Sequence, residues 1–184
     1  MEAKNKVRVY IDGANMLYTQ KKLGWNIDWK KLADYLKSKW DVAEIKYYTG
    51  VKEDDEKMRG FLKYLNHLGI VTVTKNLKII KIGPEHPLYR IHHYRELHKS
   101  NFDVEMATDV LVELLKGKDN NERIEQIVLG SGDSDFNYLI KTLRDFQVGT
   151  IVVASKKMLA WELKLAASKV LKIEDLREQI ERKL

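Results

Sequence analysis

The residues of this chain best suited to chemistry are aspartates that stand where strands end. Gly130-Ser131-Gly132-Asp133-Ser134-Asp135-Phe136 follows the apolar run Ile127-Val128-Leu129 and sets two carboxylates at i and i+2. Asp12-Gly13-Ala14-Asn15 follows a second β-branched run, Val7-Arg8-Val9-Tyr10-Ile11. Asp103 stands at the first turn of a helical pattern, on its apolar side. Carboxylates gathered in one crevice repel one another and raise each other's pKa values unless a cation sits among them. Hard oxygen donors, without cysteine or an obvious histidine pairing, suit Mg²⁺ or Mn²⁺ rather than zinc. Such an ion activates water and stabilises charge developing on a phosphodiester, the chemistry of metal-dependent nucleases. A plainer reading stays open: Ser134 caps a helix with Asp135 in its first turn, and Asp103 caps another. Asn15 is placed to orient the Asp12 carboxylate or a bound water. Asp109 lies six residues beyond Asp103, about 240° around a helix, so it faces elsewhere, as a supporting group or part of a polar face.

The elements that must position these groups alternate between strand and helix. Strands are expected at Val7 to Ile11, Val42 to Val51, Ile70 to Thr74, Gln126 to Leu129, Val148 to Ala154 and Val170 to Ile173. Helices are expected from Asp28, with Trp29, Leu32, Ala33 and Leu36 inward, and from Asp54 or Asp55, with Met58, Phe61, Leu62 and Leu65 inward. Further helices are expected at Asp103 to Leu115, through Phe136, Leu139, Ile140 and Leu143, at Met158 to Ala167, and at Glu174 to Leu184. This alternation predicts an α/β fold with a mainly parallel central sheet covered by helices on both faces. Right-handed crossovers constrain the order: a chain that winds outward from strand 1 through strands 2 and 3 and returns to place the fourth strand on its other side gives 3-2-1-4-5, with the loops after strands 1 and 4 opening a crevice between Asp12 and Asp133.

Lys75 to Lys99 departs from the pattern and reads as a hairpin or irregular excursion. It holds six Lys/Arg against two Glu, a balance of +4 before its four histidines. His92, His93 and His98 read as solvated, or as facing a nucleic acid, rather than as metal ligands. Lys156 and Lys157 follow strand 5 at the same sheet edge, where they hold phosphates or form a solvated turn. Trp25, Trp29, Trp40 and Trp161 read as core or rim residues, with an exposed one free to stack on bases.

Composition bounds the rest. The chain has 184 residues, 44% hydrophobic and 33% charged, with no cysteine and a formal charge of +6. One domain over 1–184 is expected, with a core at 6–174 and a C-terminal helix at 174–184. Disulfides and cysteine nucleophiles are excluded, no apolar run reaches membrane-span length, and a cytoplasmic location is expected. The positive balance hints at a polyanionic partner. A haloacid-dehalogenase-type phosphatase needs a second Asp where Ala14 stands, and a receiver domain needs one where Thr74-Lys75 stands. No Gly-x-Gly-x-x-Gly follows the first strand.

Taken together, Ile11-Asp12-Gly13-Ala14-Asn15, Phe102-Asp103 with Ala107-Thr108-Asp109, and Gly130-Ser131-Gly132-Asp133-Ser134-Asp135-Phe136 resemble the NYN family of PIN-like nuclease domains, in its LabA-like (DUF88) branch. The resemblance runs over roughly residues 6 to 174. Where the family often carries a Lys-Gly-Val-Asp-like run, this chain reads Lys99-Ser100-Asn101-Phe102-Asp103. The resemblance implies a PIN-like three-layer sandwich and Mg²⁺- or Mn²⁺-dependent ribonuclease chemistry. It implies metal ligands at Asp12, Asp103 and Asp133, assistance from Asp135, and Asp109 as a further acidic position. Asn15 and Ser131 are expected to orient the ligands. Lys78, Lys81, Arg90, Lys99, Lys156 and Lys157 are the expected RNA contacts. The partner is RNA, single-stranded or structured, and a homodimer is left open. The alternative is a non-catalytic RNA-binding or scaffold module that keeps the acidic pocket.

Overall fold

The computed structural model describes residues 4–85, 87–92, 96–119 and 123–183. At its centre is β1 (Lys6–Asp12), a strand buried on both faces. Its side chains alternate: Val7, Val9 and Ile11 enter one core, and Tyr10 the other. On one side lie β2 (Asp41–Val51) and β3 (Ile70–Asn76); on the other lie β6 (Gln126–Gly130), β7 (Gly149–Ala154) and β8 (Lys169–Lys172). The six strands are all parallel, in the order β3-β2-β1-β6-β7-β8. This is the expected order, with the last short strand added at the outer edge. Lys78–Lys81 (β4) and Glu96–Lys99 (β5) form a separate antiparallel pair, with the helix α4 (Pro87–His92) between them in the chain.

Helices cover both faces. α1 (Gly13–Leu23), α2 (Trp29–Lys39) and α3 (Glu56–His67) lie over Val9, Ile11, Ile45 and Tyr47. The opposite face packs α5 (Asp103–Asp119), α6 (Asn137–Asp145) and α7 (Trp161–Ala166) on Tyr10, Tyr48, Leu129 and Val152. A sheet apolar on both faces must be covered on both, and the result is a three-layer α/β sandwich. No helix among the described residues is long and apolar enough to cross a membrane.

Three elements differ from expectation. α1 was not anticipated, because its inward stripe is only Gly13, Met16 and Thr19, too polar for a periodicity signal. It ends at Gly24, whose φ of 75° takes the left-handed conformation glycine tolerates. The helix expected over Met158 to Ala167 starts only at Trp161. Met158 and Leu159 turn their N–H groups back to the Ser155 carbonyl, and the Ala160 N–H goes to the Gly132 carbonyl. The expected helix over Glu174 to Leu184 is a 3-10 turn (Ile173–Leu176) followed by α8 (Arg177–Ile180). Ile173, Leu176 and Ile180 pull this segment into the core, and Glu181 then pairs with Ile27.

Candidate metal centre

β1 and β6 pair with Ile11 opposite Gly130, so the loops that follow them leave the sheet side by side. Asp12 is the N-cap of α1, accepting the Asn15 N–H at 3.0 Å. A Cβ on Gly13 would lie 2.6 Å from the Tyr48 carbonyl oxygen and 2.7 Å from the Tyr47 ring. Only glycine lets the chain turn this tightly behind Asp12. On the other lip, a Cβ on Gly132 would lie 2.3 Å from the Met158 carbonyl oxygen, so the loop after β6 rests directly on the 155–160 turn.

Two polar groups tie the lips together. The Ser131 hydroxyl, fully buried, donates to Asp12 Oδ2 at 3.3 Å and accepts the Asp133 N–H at 3.3 Å. Asn15 Oδ1 accepts the Gly132 N–H at 3.3 Å. Asn15 thus holds Asp12 through its backbone and the opposite loop through its side chain. The expected cap at Ser134 is instead Asp133, whose Oδ1 accepts the Asp135 N–H at 3.1 Å and starts the 3-10 turn Ser134–Phe136.

Asp103 arrives from a third direction. It opens α5, and its N–H donates to Asn101 Oδ1 at 2.8 Å. Phe102 is buried and meets Tyr48 edge-on at 5.8 Å, which fixes the start of α5 against β2. Lys75 lies 4.4 Å over the Phe102 ring and bonds the Glu105 carboxylate. Asn101 and Phe102 are positioning residues that periodicity did not single out; the Asx-type spacing of Asn101 two residues before Asp103 was the available signal.

Asp103, Asp133 and Asp135 each offer a carboxylate oxygen, and the three lie within 4.8 Å of one another. Asp12 is outside that triplet, although it feels the charge of Asp103. Burial first, then the neighbouring charges of Asp133 and Asp135, hold the Asp103 pKa above the ordinary carboxylate range against the Asn101 hydrogen bond. Burial likewise raises Asp12, opposed by the Asn15 N–H and the Ser131 hydroxyl and assisted by the Asp103 charge. None of the ion pairs among the described residues reaches these four carboxylates. A set of oxygen donors that repel one another and lack a protein cation fits a hard divalent ion.

The other expected site residues lie apart from the triplet. Asp109 points under α5, where it accepts the Tyr48 hydroxyl at 2.7 Å and pairs with Lys46 at 3.3 Å. Lys78, Lys81 and Arg90 are exposed on the basic hairpin, Arg90 also donating to the Pro84 carbonyl. The side chains of Lys99, His92 and His98 and the whole of His93 lie outside the described residues. Lys156 pairs with Asp175 at 2.9 Å, while Lys157 is exposed. Trp25 and Trp29 are buried, Trp40 is partly buried, and Trp161 is 62% exposed beside the 155–160 turn.

Comparison with known proteins adds three findings. A sequence model of the NYN domain matches residues 6–174. The low amplitude and bright protein LabA of Synechococcus elongatus is 32% identical over 180 residues, spanning 97% of this chain and 89% of that protein. A crystal structure of a Vibrio parahaemolyticus protein of unknown function superposes with a TM-score of 0.73 at 18% identity, covering 99% of both chains.

Proposed function

Because this chain belongs to the NYN domain family, we propose that it is a Mg²⁺- or Mn²⁺-dependent ribonuclease that cuts RNA phosphodiester bonds at the acidic pocket. The family implies a PIN-like nuclease fold. The observation that carries the proposal is the convergence of Asp103, Asp133 and Asp135 from two separate elements to within 4.8 Å.

In this reading Asp103, Asp133 and Asp135 hold the ion, and Asp12 adds its charge from the facing lip. The chemistry such an ion supplies is charge stabilisation at the phosphate and activation of water. Ser131 and Asn15 keep the two lips in register, so that Asp12 and Asp133 present fixed oxygens. Lys78, Lys81 and Arg90 draw the RNA backbone towards the sheet edge, and Lys157 meets it from the far side. Lys156 has a smaller share, since Asp175 already neutralises it.

A second reading, a non-catalytic RNA-binding module, is favoured by one observation: Asp12 and Asp133 both serve as caps, which an inert pocket also needs. Cleavage separates the two. The wild type is expected to cut a labelled unpaired RNA in Mn²⁺, to stop in EDTA, and to lose activity by orders of magnitude on Asp133→Asn, with RNA binding retained. Cleavage that resists EDTA, or an Asp133→Asn variant as active as wild type, overturns the metal-nuclease reading. Binding without cleavage by either protein favours the binding module.

A further inference from the structure

A cavity opens beside Gly13, the residue that follows Asp12. It is an open groove of about 1240 Å³, running from Gly13 and Ala14 past Tyr47 to Ser100. We propose that this groove receives an unpaired base of the bound RNA, stacked against Tyr18 or Tyr64 and hydrogen-bonded by the Tyr47 hydroxyl. The proposal rests on the reading of the protein as one that acts on RNA.

Four observations carry it. First, Tyr47 lines the groove and is only 4% exposed. A phenol at a groove wall offers a ligand both a donor and an acceptor. Its ring is fixed by edge contacts with Trp29 at 5.0 Å and Phe61 at 5.7 Å, so the hydroxyl is held in place. Second, two further aromatic side chains at the groove are free to stack. Tyr18 on α1 is 58% exposed and Tyr64 on α3 is 43% exposed. Base–aromatic stacking tolerates any sequence because every base has a π-face.

Third, the charge around the groove suits a polyanion. Lys21, Lys57 and Arg182 line it with no ion pair among the described residues, Lys21 lying 5.5 Å over the Tyr18 ring. The two acids there, Asp28 and Asp55, already accept the N–H groups of Lys31 and Met58 as caps of α2 and α3. Fourth, the groove's lining begins at Gly13, next in sequence to Asp12. A Cβ on Gly13 would lie 2.7 Å from the Tyr47 ring, and the Asp12 charge is felt at Tyr47. In this proposal an RNA strand with a phosphate at the triplet carries a neighbouring base over this groove. A base paired in a duplex has its faces and edge already occupied, so the groove selects single-stranded segments.

The test is RNA binding in EDTA, read by fluorescence anisotropy, where cleavage plays no part. The probes are a labelled oligouridylate and the same oligomer with abasic sugars. The wild type is expected to prefer the base-bearing probe by about tenfold, the size of one stacked base. Tyr18→Ala combined with Tyr64→Ala should abolish the preference without lowering the melting temperature, since both rings are exposed. Tyr47→Phe, which keeps the ring and its packing, should lose a few-fold of it. Equal affinity of the wild type for both probes overturns the proposal, as does a double variant that keeps the preference. So does self-association in sedimentation that the double variant dissolves, which would make the groove a contact between copies. A wild type that cleaves RNA yet ignores its bases removes the groove alone. One that prefers bases but never cleaves removes the nuclease reading alone.

Discussion

At the residue scale Asp103, like Asp12, carries a charge that burial disfavours. Burial and the neighbouring carboxylates raise its folded pKa above the unfolded value of about 3.9. Between those two values the folded protein binds the extra proton, so the stability contributed by the protonated form is complete below the unfolded pKa. That stability is lost as pH rises through the folded pKa. In EDTA the wild type should therefore be less stable than Asp103→Asn at neutral pH, and the gap should close as pH falls towards about 4. Urea midpoints of the two proteins across that range check it. A gap that does not change with pH contradicts the crowded-carboxylate account. At this scale the sequence made the strand-end aspartates legible, because glycine beside carboxylate at a strand end is a local pattern. The grouping of Asp135 with Asp103 and Asp133, with Asp12 outside the triplet, was not legible. It depends on how the 3-10 turn after Asp133 aims successive side chains, which residue types alone do not encode.

At the element scale the position of Asp103 depends on α5, and α5 is held by a network of charges. Glu113 accepts the Tyr10 hydroxyl at 2.5 Å, pairs with Arg8 at 3.0 Å and bonds Lys46. Lys46 also reaches Asp109, and Arg8 also pairs with Glu44 at 3.0 Å. Burial alone would lower the Lys46 pKa, but Glu113 and Asp109 outweigh it and raise the value. Burial first, then these carboxylates, raises the pKa values of Tyr10 and Tyr48 and keeps both phenols protonated as donors. Glu113→Ala should cost about 2–3 kcal/mol, because Arg8 and Lys46 lose their shared partner under a helix; some solvent contact keeps the loss below that of a fully buried pair. Asp109→Asn keeps an acceptor for Tyr48 and should cost about 1 kcal/mol, with a small fall in activity. Denaturant titration and cleavage rates measure both, and a Glu113→Ala variant as stable as wild type contradicts the anchoring role. Helical periodicity foresaw that Asp109 and Asp103 face different ways. The partners on β1 and β2 were hidden, since pairs more than sixty positions apart leave no local trace.

At the scale of the whole molecule, strand order decides everything else. Placing β1 beside β6 brings residues 12 and 133 together across the sheet edge, and this order was expected for a chain that winds outward from strand 1 and then returns to its other side. Elements whose inward faces are strongly apolar, such as α2 and α3, were legible for the same reason. α1, the 155–160 turn and the C-terminal segment were not, because tertiary contacts set their ends. The basic hairpin is proposed to carry the long-range attraction for RNA. Lys78→Ala, Lys81→Ala and Arg90→Ala should each reduce the slope of log affinity against log salt by about one. RNA filter binding over a salt series reads this directly. An unchanged slope in the triple variant would mean that the hairpin lies away from the RNA.

The most direct test of the metal centre is anomalous diffraction from crystals soaked in Mn²⁺. The expected result is a peak at about 2.0–2.6 Å from carboxylate oxygens of Asp103, Asp133 and Asp135, a normal span for hard cations. Asp133→Asn crystals treated in the same way should show the peak weakened or gone. No peak among these aspartates at saturating Mn²⁺, or a peak only elsewhere on the molecule, would contradict the account.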